Sequence, residues 1–215
     1  MKIKFLGHAS FLITSEQGVS IITDPYKPGC FDGGIQYGQI TEPADIVTIS
    51  HEHDDHNETN IPGNPTFVRN SSPQTIHGVA VTGLDVYHDT CAGKERGSNI
   101  IYKMTIDGIN VVHLGDLGHE LDPDQVEKLG KVDVLFVPIG GYFTMAASAV
   151  DKVISALKPK VVIPMHFKTE KCGFPIASLD DFTEGKEVEQ KNGEVEITKE
   201  RLPETTAIFV LHPTK

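Results

Sequence analysis

One octapeptide constrains this chain more than any other stretch: Ile49-Ser50-His51-Glu52-His53-Asp54-Asp55-His56. Three imidazoles and three carboxylates fall within six residues, directly after the apolar run Ile46-Val47-Thr48-Ile49. Such a run reads as a short buried strand, so the polar cluster begins where the strand ends. On an extended or tightly turned segment His51, His53 and Asp55 point one way, and the curl of the chain brings His56 beside them. Imidazole nitrogen together with carboxylate oxygen suits zinc, manganese or iron rather than calcium or magnesium. The plainer alternative is a solvated acidic turn that happens to contain histidine. Histidines farther along the chain, placed where a metal site needs them, weigh against it.

Four more polar residues follow apolar strands. Asp24 comes after Ile21-Ile22-Thr23, His88 after Val86-Tyr87, Asp116 after Val111-Val112-His113-Leu114-Gly115, and His166 after Val161-Val162-Ile163-Pro164-Met165. Strand ends on one edge of a sandwich share a mouth, where loops carry function on a rigid base. A lone histidine in such a place is more often structural; the set as a whole points to one site.

The remaining pattern predicts strands over 2–6, 10–14, 19–23, 45–49, 66–69, 79–87, 99–106, 109–114, 132–138, 160–164 and 205–211. Gln17-Gly18 and Asp107-Gly108 read as hairpin turns, and a charged hairpin is expected around Asn192-Gly193. Asn57-Glu58-Thr59 reads as the start of a short helix. Asp122, Pro123 and Gln125 form a helix-opening signal of N-cap, first-turn proline and capping box. A second helix, 146–157, places Ala149, Val150, Val153, Ile154 and Leu157 on one face, and a polar one lies near 178–184. The segment from Tyr26 to Gln39, rich in Gly, Pro and aromatics, is long enough to wall or cover a site. Strands dominate the first half and alternate with helices in the second, which fits an α+β domain spanning 1–215, with two sheets face to face and helices outside.

The formal charge of −11 argues against a nucleic-acid or anionic-membrane binder, since both need a basic footprint. It leaves open a small anionic substrate drawn in by a metal, and a homo-oligomer. Cys30, Cys91 and Cys172 form no CxxC pair, which suggests a reducing compartment without disulfides. The first residues lack a continuous apolar core, and no stretch reaches the roughly 18 apolar residues of a membrane span. A cytoplasmic protein is expected.

The form His-x-His-x-Asp-His resembles the signature of the metallo-β-lactamase superfamily. The closer likeness is to the compact subgroup of L-ascorbate-6-phosphate lactonase-like and uncharacterised metal-dependent hydrolases. Its marks here are Gly7-His8-Ala9-Ser10-Phe11, Gly115-Asp116-Leu117-Gly118-His119, Pro138-Ile139-Gly140-Gly141 and Pro164-Met165-His166-Phe167-Lys168-Thr169. The resemblance implies an αββα four-layer sandwich of two mixed sheets flanked by helices. It also implies one or two divalent metals: zinc first, with manganese, nickel or iron as alternatives. By position, His51, His53 and His88 would hold one metal, Asp55, His56 and His166 a second, and Asp116 would bridge them, with Asp24 behind the ligands orienting a histidine.

A metal-bound hydroxide would then attack a small ester, lactone, amide or phosphodiester, with Asp55 orienting it. His8 is a further candidate ligand or wall residue. His119 and Lys168 are candidates for helping the leaving group, and Lys168 and Thr169 for binding a substrate anion. His113 reads as a packed strand residue, and His77 and His212 as structural or exposed. The alternatives are an iron-dependent oxidoreductase on the same fold, or a non-catalytic metal-binding protein.

Overall fold

The computed structural model describes all residues from Met1 to Lys215. Its strands form two sheets. Six-stranded sheet A contains β1 (Lys2–Gly7), β2 (Ser10–Thr14), β3 (Ser20–Thr23), β4 (Ile46–Thr48), β5 (Thr66–Val68) and β13 (Glu194–Glu196). Eight-stranded sheet B contains β6 (Gln74–Ile76), β7 (Val79–Tyr87), β8 (Ser98–Ile106), β9 (Ile109–His113), β10 (Val134–Pro138), β11 (Val161–Met165), β12 (Val188–Lys191) and β14 (Ala207–Leu211). Both sheets mix parallel and antiparallel pairs, the expected two-sheet α+β sandwich.

Strand direction places the site. β1 and β3 each run antiparallel to β2, and β4 runs parallel to β3. In sheet B, β7 and β9 each run antiparallel to β8, and β10 and β11 follow β9 in parallel. The C-terminal ends of β1, β3 and β4 therefore share one edge of sheet A, and those of β7, β9, β10 and β11 share one edge of sheet B. His8, Asp24, the His51–His56 run, His88, Asp116 and His166 all lie just past these ends.

The larger core cluster packs sheet residues such as Phe5, Phe11, Ile13, Val111 and Phe136. It also takes in the apolar faces of the helices Pro123–Leu129, Ala147–Leu157 and Leu179–Thr183. A smaller cluster joins Leu6, Ile22 and Val47 of sheet A to Tyr26, Ile35, Tyr37 and Ile40. Tyr26, Ile35 and Tyr37 come from the Tyr26–Gln39 segment, whose one helical turn, Cys30–Gly33, is distorted by left-handed Phe31 and Asp32. The capping box at Asp122 and Gln125 forms as expected, with Gln125 N–H donating to Asp122 Oδ1 at 2.8 Å.

Two local expectations fail. Asn57-Glu58-Thr59 starts no helix. Instead Asn57 Nδ2 donates to the Glu52 carbonyl, Glu58 N–H donates to the Pro25 carbonyl, and the Glu58 carboxylate caps the amides of Thr59 and Asn60. Pro62 then holds Ile61 out of helical conformation. The segments either side of Asn192-Gly193 do not pair as a hairpin. β12 joins β14 in sheet B, while β13 crosses to sheet A. There the opposite charges Lys2↔Glu196 and Lys4↔Glu194 face each other across the ladder. The edge strand β6, which propensity does not mark, adds antiparallel to β7.

One ion-pair network ties the C-terminus to β1. Glu42 bridges Lys4 Nζ and Lys215 Nζ, each at 2.8 Å. Burial tends to raise its carboxyl, but the two ammonium groups outweigh it and hold the pKa down at about 2. The depressed value means the pair stabilises the fold above the unfolded pKa and loses that effect as pH falls through the folded one. Glu42→Gln should cost about 1 kcal/mol near neutral pH. Denaturant melts should show the two proteins converging as pH drops from above 4.5 toward 2.

Candidate metal centre

Eight side chains converge at the shared edge. One group, His51, His53 and His88, has ligand atoms that all lie within 4.8 Å of one another. A second group, His8, Asp55, His56 and His166, meets the same limit. Asp116 stands between them. Its Oδ2 lies 3.2 Å from His88 Nε2, 3.2 Å from His166 Nε2, 3.3 Å from His56 Nε2 and 4.0 Å from His51 Nε2. One carboxylate oxygen thus reaches imidazoles of both groups.

Asp24 is positioned behind them. Its Oδ1 accepts from Ser50 N–H at 2.8 Å, and its Oδ2 accepts from Ser50 Oγ at 2.5 Å and from His56 Nδ1 at 3.0 Å. Ser50 has one hydroxyl proton and spends it on Asp24. His51 Nδ1, 2.9 Å from Ser50 Oγ, must therefore be the donor of that pair. Both rings are held with Nε2 turned inward and free, with the Asp24 carboxylate engaged by Ser50 and His56 behind them. Asn99 fixes the loop under Asp116 by accepting the Asp116 N–H at 3.0 Å and donating to the Leu114 carbonyl at 2.9 Å.

Electrostatics follow from packing acids and imidazoles together out of water. Burial, reinforced by His166, pushes His8 down to about 4, and burial with the charge of His56 pushes His51 down to about 3. Burial and His88 lower His53 too. Burial would lower His56, but the Asp116 and Asp55 carboxylates outweigh it and raise that ring. Burial would likewise raise Asp55, yet His56 and the hydrogen-bonded His8 hold its carboxyl below the usual range. His8 Nε2 sits 3.0 Å from Asp55 Oδ2.

Several buried polar atoms have no hydrogen-bond partner: His51 Nε2, His56 Nε2, both nitrogens of His166, and Asp116 Oδ1. Orphaned atoms of this kind are costly unless something binds them. Their lone pairs are those a divalent metal takes, and the histidine-rich donor set fits zinc or a similar ion.

The remaining candidates stand apart. The two ring nitrogens of His119 face the backbone, Nδ1 toward the Glu120 carbonyl at 2.7 Å and Nε2 toward Tyr87 N–H at 3.3 Å. Exposed Lys168 donates to the Phe174 carbonyl at 2.8 Å, and the Thr169 hydroxyl pairs with Tyr37 at 2.7 Å. His113 bridges the Ala9 carbonyl and Gly115 N–H, while His77 and His212 are exposed. Sequence reasoning passed over Ser50 and Asn99, whose types carry no ligand signal. It also passed over Asp89, whose buried carboxylate accepts the backbone N–H groups of Cys91, Gly93, Glu95 and Arg96.

Residues 2–166 match the beta-lactamase superfamily domain. The chain belongs to that superfamily. It is 30% identical over 230 residues to a metal-dependent hydrolase of Archaeoglobus fulgidus, covering 92% of this chain and 94% of the relative. A metal-dependent hydrolase of Thermococcus onnurineus is 30% identical over 195 residues, covering 79% of this chain and 85% of the relative. Among solved structures, a protein of Thermotoga maritima assigned as a zinc-dependent hydrolase of the metallo-beta-lactamase superfamily superposes with a TM-score of 0.80 at 35% identity, covering 98% and 97% of the two chains. The protein is accordingly a metal-dependent hydrolase of this superfamily. No helix is long and apolar enough to cross a membrane.

Proposed function

We propose that the protein hydrolyses a small ester, lactone, amide or phosphodiester at a centre with two metal positions, zinc being the favoured ion. The observation that carries this reading is Asp116 Oδ2, set among the Nε2 atoms of His56, His88 and His166 at 3.2–3.3 Å. His51, His53 and His88 would hold one position, Asp55, His56 and His166 the other, with Asp116 shared. When bound, such ions lower the pKa of water toward 7 and polarise the oxygen of the bond to be cleaved. Asp55 lines the cavity above the cluster. There its carboxylate, held ionised by His56 and His8, would orient the attacking water between the two positions. His8 holds Asp55 by its Nε2 hydrogen bond, which makes it a positioning residue in this reading. His119, both of whose ring nitrogens meet the backbone, and Lys168, which spends one N–H on the Phe174 carbonyl, take no step in this reading.

The test is metal analysis combined with a panel of esters, lactones and phosphodiesters. Turnover should vanish on chelation and return with zinc. Iron in place of zinc, with no hydrolysis of any panel member, would sink the proposal. Chelation should also destabilise the protein, since a ligand bound only by the folded state at about 1,000 times its Kd adds about 4 kcal/mol. At roughly 2–4 °C per kcal/mol for a chain of this size, Tm should fall by about 8–16 °C in a calorimetric scan.

A further inference from the structure

The cavity over the metal cluster has a volume of about 250 Å³ and two kinds of wall. Its floor includes His53, His88 and Asp116, and its sides are Phe31, Phe143 and Phe174, with Glu95 and Arg96 at the rim. The aromatic rings form a continuous edge-to-face ladder. Phe31 meets Phe174 at 5.7 Å, Phe174 meets Phe143 at 5.5 Å, and Phe143 meets Tyr142 at 4.7 Å between centroids. Phe31 is 53% exposed and Tyr142 66%, and they are two of the three large hydrophobic side chains that the protein leaves in water. Exposed rings gathered at the opening of a polar centre mark a surface that a ligand covers.

Arg96 is the single lysine or arginine lining this cavity. Its guanidinium makes no hydrogen bond within the protein. Its neighbours are Glu95 at 3.6 Å, an exposed and sequence-adjacent carboxylate, and the face of Phe143 at 5.9 Å. Yet its backbone is fixed. Arg96 N–H donates to Asp89 Oδ2 at 2.9 Å, and His88 N–H donates to the Gly97 carbonyl at 3.0 Å, so the loop closes onto the metal-site histidine. A guanidinium with free donors, anchored beside the cluster and flanked by a ring, is built to take an anion with its planar fork.

We propose that the cavity selects substrates with an apolar acyl or aromatic body and an anionic group remote from the bond cleaved. The rings hold the body and Arg96 holds the anion. This specificity rests on the hydrolytic reading above, and the test separates the two.

Two ester probes, 4-nitrophenyl hexanoate and mono-4-nitrophenyl adipate, differ by a terminal methyl exchanged for carboxylate. The metal-loaded wild type should favour the adipate in kcat/KM. Arg96→Gln should reduce that preference at least tenfold, mainly through KM, and Arg96→Lys should keep part of it. Independently of turnover, isothermal titration should show 4-phenylbutyrate binding at least tenfold tighter than the neutral 4-phenylbutyramide. That margin should shrink at least fivefold in Arg96→Gln, and Phe31→Ala should weaken both ligands by a similar factor. If neither ester turns over but the binding margin behaves as stated, the specificity stands and hydrolysis of esters fails. An unchanged margin in Arg96→Gln overturns the proposal, because the anion would then be held elsewhere, as would full affinity in Phe31→Ala.

Discussion

Asp116→Asn should remove metal and activity together while the fold persists. The substitution keeps the shape of the side chain but deletes the carboxylate charge that faces His88 of one group and His56 and His166 of the other. It also leaves the Asn99 contact to the backbone N–H intact. Loss of a shared ligand removes charge from both metal positions, so hydrolysis should drop by at least about 10³-fold, equivalent to roughly 4 kcal/mol in the barrier. Metal content should fall in step, and the Tm decrease on chelation should disappear. Far-UV circular dichroism should be unchanged, because the site lies past the strand ends and the sheets are held by their own apolar cores. A variant that keeps its metal and more than a tenth of its activity would show that Asp116 is not shared.

Gly118→Ala should damage the protein through packing alone. A Cβ at this position would lie 2.3 Å from Asp89 N and 2.4 Å from the carbonyl carbon of His88. Both are backbone atoms, so no side chain can swing away to make room. The two strands' end loops must separate, and one of them carries His88 together with the Asp89 knot that sets Arg96. Overpacking of this kind costs about 3 kcal/mol, or about 6–12 °C in Tm at the scaling for a chain of this length. Metal affinity at the His51, His53 and His88 position should weaken as well. Gly173→Ala is the control. Its Cβ would meet nothing closer than 3.5 Å, and its Tm should stay within a degree or two. Equal melting of the two variants would show that the loops yield more readily than their contacts imply.

The same contrast separates what a reader of the sequence can see from what is hidden. The strands were legible because apolar runs of four to nine residues broken by Gly, Asn and Asp leave few other readings. The ligand candidates were legible because histidine and aspartate directly after such runs are costly to place without a purpose. His119 and Lys168, a few residues farther along the same loops, turn their nitrogens to backbone carbonyls and an amide. Position past a strand limits where a residue sits but leaves its side-chain torsions open, and those are set by neighbours distant in the chain. The same holds for Asn192-Gly193, whose turn signal is local, whereas the choice between one sheet and the other depends on β1 and β14.

By itself the sequence determined the alternation of strands and the set of candidate metal ligands, since both depend on residue type and short-range order. Only the tertiary structure decided that two sheets present their like-directed ends at one edge. It likewise decided that Asp24 and Ser50 aim two of the imidazoles, and that Arg96 stands free above them. Those facts depend on contacts between segments up to 158 residues apart, from His8 to His166, and a linear pattern carries no record of which segments will meet.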